Sequence, residues 1–358
     1  MNAVLALADG TIFRGTGFGA AMQVTGEVVF NTSLVGYEES LTDPSYAGQI
    51  LTLTYPLIGN YGVRSGDFES ERVQVAGFVV RELCSHYSHR NAVKSLDAFL
   101  REFNVPGIAG IDTRMLARKI REEGVINGAL MVSEDAIHGQ GVIARAKSAA
   151  DYSSKNFLAK VSVDAPKFHD AKGDKSICMI DTGVKLSIIR NFLKREVSVW
   201  RMPYNATAEE IRMKKPDGIF LANGPGDPEQ AKEAIATVKA LHKEYPISGI
   251  CLGNQIIGLA LGAKTYKLKF GHRGINQPVK ELARNKVFIT SQNHGFAIEE
   301  KSLGGTGLVV THVNLNDGSV EGMRHKELPI RSVQMHPEAN PGPNDIEDIF
   351  DVFIGDLH

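Results

Sequence analysis

The chain has 358 residues, of which 43% are hydrophobic and 23% charged, and its formal net charge is −1. That length suits two ordinary domains, each with a real core, and so balanced a charge offers no field to attract nucleic acid or an anionic membrane. The opening MNAVLALADG lacks the basic head and long apolar run of a signal peptide, and no apolar run approaches a membrane span, so a cytoplasmic protein is expected.

In chain order, residues 1–150 read as a β-rich α+β domain. Ala3 to Leu7, the Asp9-Gly10 turn and Thr11 to Phe13 predict a hairpin, and Val28 to Thr32, Ile50 to Thr54 and Gly77 to Val80 predict further strands. A helix is expected from an Asp112 cap, with Met115, Leu116 and Ile120 on its apolar face and Gly124 as its stop. Residues 151–175 are rich in lysine, serine and aspartate with weak periodicity, which predicts a linker or an irregular crossing segment. From Ser176 the pattern alternates. Strands are expected over Ile177–Ile180, Val197–Trp200, Gly218–Leu221 and Ile247–Ile250. Helices are expected over Lys185–Lys194, Ala208–Lys214, Glu229–Lys243 and Gly253–Leu261, with a last helix over Asn344–Phe353. This alternation predicts an α/β fold over 176–358: an open, mostly parallel sheet flanked by helices, its ligand site at the carboxyl ends of the strands.

Gly249-Ile250-Cys251-Leu252-Gly253 falls at such a strand end and opens a helix. Flanking glycines permit the sharp turn of a nucleophile elbow, the helix N-terminus favours a thiolate, and the Leu252 N–H is placed to bind an oxyanion. By itself the motif also fits a cysteine packed at a glycine-rich turn. A base and its orienter are available in Gln334-Met335-His336-Pro337-Glu338, although a surface turn would read the same way. Asn223-Gly224-Pro225-Gly226-Asp227-Pro228 closes another strand, and its backbone N–H groups could complete the oxyanion hole; an ordinary loop capped by Asp227 is the plainer reading.

Together NGPGDP, GICLGNQ, SQNHGF and QMHPE, in this order, resemble the class I, triad-type glutamine amidotransferases. The stretches Phe270 to Val279 (FGHRGINQPV), Gly36 to Tyr46 and Gly110 to Arg114 resemble one branch of that family, the glutamine-hydrolysing small subunits of carbamoyl phosphate synthetases, and the similarity runs from about residue 3 to residue 354. The resemblance implies a catalytic triad of Cys251, His336 and Glu338. It also implies glutamine contacts at Ser45, Gly224, Gly226, Leu252, Gln255, Asn293, Gly295 and Phe296, with Gln255 meeting the substrate's polar end and Ser45 contributed by the N-terminal domain. It further implies a large, ATP-using subunit as partner in a heterodimer or higher oligomer, with ATP and magnesium used there and no cofactor or metal in this chain. The ammonia would go to carbamoyl phosphate for pyrimidine and arginine synthesis. Departures from the family pattern are Asn254 where many relatives have His, Met335 where Phe is usual, and Leu186-Ser187 after Lys185 in place of Arg-Asn.

Two rival readings share part of this pattern. The glutaminase partner of anthranilate synthase shares the C-terminal motifs but is disfavoured by the N-terminal domain. A non-catalytic scaffold built on a dead amidotransferase is disfavoured by the intact triad. Of the three cysteines, Cys178 reads as core and Cys84, in Cys84-Ser85-His86-Tyr87-Ser88-His89, as part of a partly exposed loop rather than a metal site. The basic run Lys264, Lys267, Lys269, His272 and Arg273 reads as a solvated loop, with a partner-facing role second.

Overall fold

The computed structural model describes residues 1–66 and 68–357. Among them the chain divides into two compact units, Met1–Lys155 and Asn156–His358.

The first unit is a closed barrel of seven strands: β1 (Asn2–Leu7), β2 (Ile12–Gly19), β3 (Gln23–Asn31), β4 (Gln49–Leu53), β5 (Gly77–Val79), β6 (Pro106–Ala109) and β7 (Ile126–Ser133), in the order β1-β7-β3-β4-β5-β6-β2. The expected hairpin forms as β1 and β2, antiparallel, with Asp9 Oδ1 accepting from the Thr11 N–H at 2.8 Å across the turn. Strand alternation explains the burial of β1: Val4 and Ala6 pack beneath the helix Gly139–Ser148, while Leu5 and Leu7, equally buried, face the other way. The helix Thr113–Glu123 begins with the Asp112 carboxylate accepting from the Met115 N–H at 2.9 Å and ends at Gly124, φ 100°. Leu116 and Ile120 are buried, but Met115 is 49% exposed, so the apolar stripe is narrower than the sequence spacing suggested.

Residues 151–175 are not an open linker. Tyr152 is buried in the first unit, its hydroxyl donating to the Ala47 carbonyl. Past residue 155 the chain joins the second unit. Leu158 enters an apolar core, the Val163 N–H donates to Asp181 Oδ2, and β8 (Lys167–His169) adds an edge strand. The segment is too polar and too weakly periodic to reveal this, because its few apolar anchors stand alone.

The second unit contains β8, β9 (Lys175–Asp181), β10 (Val197–Pro203), β11 (Gly218–Leu221), β12 (Ile247–Ile250), β13 (Thr265–Glu281), β14 (Lys286–Ile298), β15 (Leu308–Asn314), β16 (Val320–His325) and β17 (Ile330–Val333). They form one sheet in the order β8-β10-β9-β11-β12-β17-β16-β15-β13-β14, parallel from β10 through β17 and antiparallel beyond. β9 is apolar on both faces, as a strand covered on both sides must be. Ile177 and Met179 pack with Ile188, Phe192, Phe350 and Phe353, whereas Cys178 and Ile180 pack with Ile211, Val238, Leu241 and Ile257. Burial pushes the Cys178 thiol up to about 12, in keeping with an inert core cysteine.

After the short helix Leu158–Val161, the helices that follow the strands are Leu186–Lys194, Ala208–Lys214, Lys232–Leu241, Leu252–Ala260 and Ile349–Gly355. The third starts late because Pro228–Gln230 forms a 3₁₀ turn capped by Asp227. The last starts late because residues 345–348 form turns, although Ile346 is already buried in the core. The basic run from Lys264 is strand rather than loop. Lys264, Lys267 and Lys269 are exposed, but His272 and Arg273 are buried on β13.

Candidate active site

Cys251 sits between β12 and the helix Leu252–Ala260 with φ 56° and ψ −106°. A non-glycine residue held there costs ~1–3 kcal/mol and persists only where its surroundings over-determine it. Here they do. The Cys251 N–H donates to the Val333 carbonyl at 2.8 Å, fixing the residue to β17. A Cβ on Gly253 would lie 2.2 Å from the Leu221 carbonyl oxygen, so only glycine lets the helix approach β11 so closely. Leu252 is the first helical residue, and its N–H has no intrahelical partner. Gly224 is equally constrained: a Cβ there would meet the Thr182 carbonyl oxygen at 2.0 Å. Gly226 in the same loop has φ 94°.

The sheet brings His336 and Glu338 to this elbow. They follow β17, the neighbour of β12, and the His336 N–H donates to the Ser291 carbonyl at 2.9 Å. Cys251, His336 and Glu338 are 1%, 2% and 4% exposed. His336 Nδ1 lies 2.6 Å from Glu338 Oε1, an arrangement that leaves Nε2 free of any hydrogen-bond partner among the described residues. Burial disfavours the imidazolium, yet the Glu338 carboxylate and the Cys251 sulfur together override it and lift His336 to about 10. Glu338 is held down to about 2 against the same burial by Lys185 and His336.

Lys185 is the participant that sequence reading missed. Its side chain is buried, and Nζ donates to Glu338 Oε1 at 2.9 Å and to the Ala339 carbonyl at 2.6 Å. The departures at Leu186 and Ser187 do not disturb it: Leu186 packs against the core and Ser187 is buried. Met335 is likewise fully buried in that core, and Asn254 bridges Gln334 and Ser332.

The other predicted site residues fall as follows. Asn293, Gly295 and Phe296 lie on β14, and the Cys251 thiol is 3.6 Å from the Asn293 carbonyl oxygen. Gln255, one turn beyond Cys251, donates its amide to the Phe296 carbonyl at 2.7 Å and to Gln334 Oε1 at 3.0 Å. Its side-chain nitrogen is therefore committed to holding β14, and only its oxygen is left for a ligand. Ser45 belongs to the first unit, buried in the 3₁₀ turn Pro44–Tyr46, with its N–H donating to Asp43 Oδ1 at 2.9 Å.

A strained elbow cysteine on a parallel sheet, with a buried His–Glu pair from the next strand, is the arrangement of a triad-type amidotransferase. Residues 178–355 match the glutamine amidotransferase class-I family, and residues 5–130 match the CPSase domain of the carbamoyl-phosphate synthase small chain. The carbamoyl phosphate synthase small chain of Methanocaldococcus jannaschii is 51% identical over 357 residues, covering 99% of this chain and 98% of that one. Those of Archaeoglobus fulgidus and Bacillus cereus are each 49% identical over 354 residues, covering 99% of this chain and 98% and 95% of theirs. The chain belongs to the family of carbamoyl phosphate synthase small chains.

Proposed function

We propose that Cys251, His336 and Glu338 hydrolyse glutamine, and that the ammonia passes to a large, ATP-using synthase subunit for carbamoyl phosphate formation. The observation that carries this reading is the His336 pair: one ring nitrogen held by Glu338, the other unpartnered, with the elbow sulfur beside it. The Cys251 thiolate attacks the side-chain amide carbon, and the oxyanion is met by the Leu252 N–H and the backbone at Gly224. The raised His336 supplies the proton that lets ammonia leave, giving a glutamyl thioester. Neutral His336 then takes a proton from water, which attacks the thioester and releases glutamate. Glu338 keeps the imidazole in one tautomer, and Lys185 keeps Glu338 ionised.

Gly226, Asn293, Gly295 and Phe296 form the glutamine-facing wall, and Gln255 offers its oxygen. Ammonia is a nucleophile only when unprotonated, which favours a closed route within a heterodimer or higher oligomer. No cofactor is assigned to this step. ATP and magnesium act in the partner, and a cytoplasmic location follows from that metabolism.

The test is glutamine hydrolysis by the wild type and Cys251→Ala, each with its large subunit. The variant should lose glutamine-driven synthesis and keep ammonia-driven synthesis. Hydrolysis at the wild-type rate removes the nucleophile assignment, and loss of both syntheses gives the chain a structural role instead.

A further inference from the structure

Away from the elbow, three strands bring together His272 on β13, His294 on β14 and Glu321 on β16, all buried, with one ligand-type atom from each lying within 4.8 Å of the others. The hydrogen bonds fix which nitrogens face inward. His294 Nδ1 is 2.8 Å from the Phe296 carbonyl oxygen, which can only accept, so Nδ1 carries the proton and Nε2 presents a lone pair. That lone pair faces two further acceptors, Gln292 Oε1 at 3.2 Å and Glu321 Oε1 at 3.8 Å. His272 Nε2 is 2.9 Å from the Asp317 carboxylate, and this bond turns Nδ1 inward, 3.6 Å from Glu321 Oε1. Glu321 Oε2 is buried with no hydrogen-bond partner among the described residues.

The Asn314 amide donates to Glu321 Oε1 at 3.2 Å and reaches His272 Nδ1 at 3.5 Å, but no donor meets His294 Nε2 or Glu321 Oε2, and acceptors that converge in this way favour something positive between them. Each histidine also has its outer nitrogen tied to an oxygen, one to a carbonyl and one to a carboxylate, which is how metal-bound histidines are oriented. We propose that His272 Nδ1, His294 Nε2 and Glu321 form a site for a zinc-class divalent cation, with Asp317 orienting His272 and Gln292 Oε1 beside the open position. Ligand atoms around a tetrahedral zinc lie about 3.3 Å apart, so the 3.6 and 3.8 Å separations need a small contraction and the two ring nitrogens, within 4.8 Å of each other, must close as well. Asp317 and Glu321 together balance the charge of the dication. The ion would pin β13, β14 and β16 to one another behind the strand that touches Cys251.

Cobalt(II) titration of the full-length chain tests this, because its spectrum distinguishes nitrogen and oxygen ligation from binding at a cysteine. Nitrogen and oxygen ligation gives weak visible bands alone, whereas binding at Cys251 adds an intense near-ultraviolet thiolate band. The expected result is one equivalent bound without the thiolate band, retained in Cys251→Ala, lost in Glu321→Gln, and weakened about 10- to 100-fold in Asp317→Asn. Asp317 is partly exposed, so that variant should fold even if Glu321→Gln does not. Uptake that vanishes in Cys251→Ala, or no uptake at micromolar cobalt, overturns the proposal. In that case a proton on His272 Nδ1 and a rotated Gln292 amide fill the same space.

Discussion

β14 touches two buried histidine–carboxylate groupings. At one end of the comparison, His336 and Glu338 lie beside a cysteine whose backbone is strained, and a buried lysine lies behind the glutamate. At the other, His272, His294 and Glu321 have no nucleophile among them, and their outer nitrogens are anchored to oxygens. The difference teaches that a histidine–carboxylate pair is only a way of aiming a ring nitrogen. Aimed at a sulfur it manages protons; aimed at other acceptors it makes a cage.

The comparison breaks most decisively at Cys251. Cys251→Ala should lower glutamine turnover by about 10³-fold or more, measured as glutamate release, while Asp317→Asn should leave turnover within a few-fold. Equal losses in the two variants would erase the distinction. Next in size is Lys185→Met. It leaves Glu338 buried without its cation, and breaking such a pair costs about 3–5 kcal/mol by denaturant unfolding. In whatever fraction folds, Glu338 should rise from about 2, so the acid limb of kcat/KM should move to higher pH and kcat should fall more than KM changes. An unmoved acid limb would reduce Lys185 to a packing residue.

Gly253→Ala comes third. Its Cβ must displace the Leu221 carbonyl from 2.2 Å, so about 1–3 kcal/mol of stability and a ten-fold or greater loss of turnover are expected together. Melting temperature against pH should show a gentler effect. His336, raised to about 10 against burial by Glu338 and Cys251, binds a proton more tightly when folded than its ordinary value of 6.5. Its stabilisation is complete below pH about 6.5 and is lost as pH climbs through 10. Melting temperature should therefore fall across that window, and His336→Gln should remove part of the slope. Met213→Ser, at a site 72% exposed and distant from either grouping in role, should change stability by less than about 0.5 kcal/mol.

Local periodicity and turn chemistry made much of the second unit legible. Ala208–Lys214, Gly218–Leu221 and Ile247–Ile250 stand at their expected bounds, and the elbow follows from its glycines. What escaped depends on contacts between distant residues. Lys185 and Glu338 are 153 positions apart, and nothing near either announces the pair. Gln255 could be read as a substrate contact because its commitment to Phe296 and Gln334 exists only once β14 is folded beside it. The His272, His294 and Glu321 grouping is assembled from three strands, so no spacing rule could expose it, and in the sequence His272 stands among lysines that suggest a solvated run. The barrel was visible only as scattered strands, since closure is a property of pairing rather than of any one segment.

Residues 290–294 serve the two groupings by different means. Gln292 and His294 reach one another through side chains, whereas Ser291 and Asn293 meet His336 and Cys251 through main-chain carbonyls. A substitution at Ser291 leaves its carbonyl where it was, so chemical variety there is tolerable. Inserting one residue into this stretch would rotate every later position by half a pleat, turning the histidine away from its cage and moving the carbonyls off the triad at once. This segment can therefore vary at Ser291 but not in length.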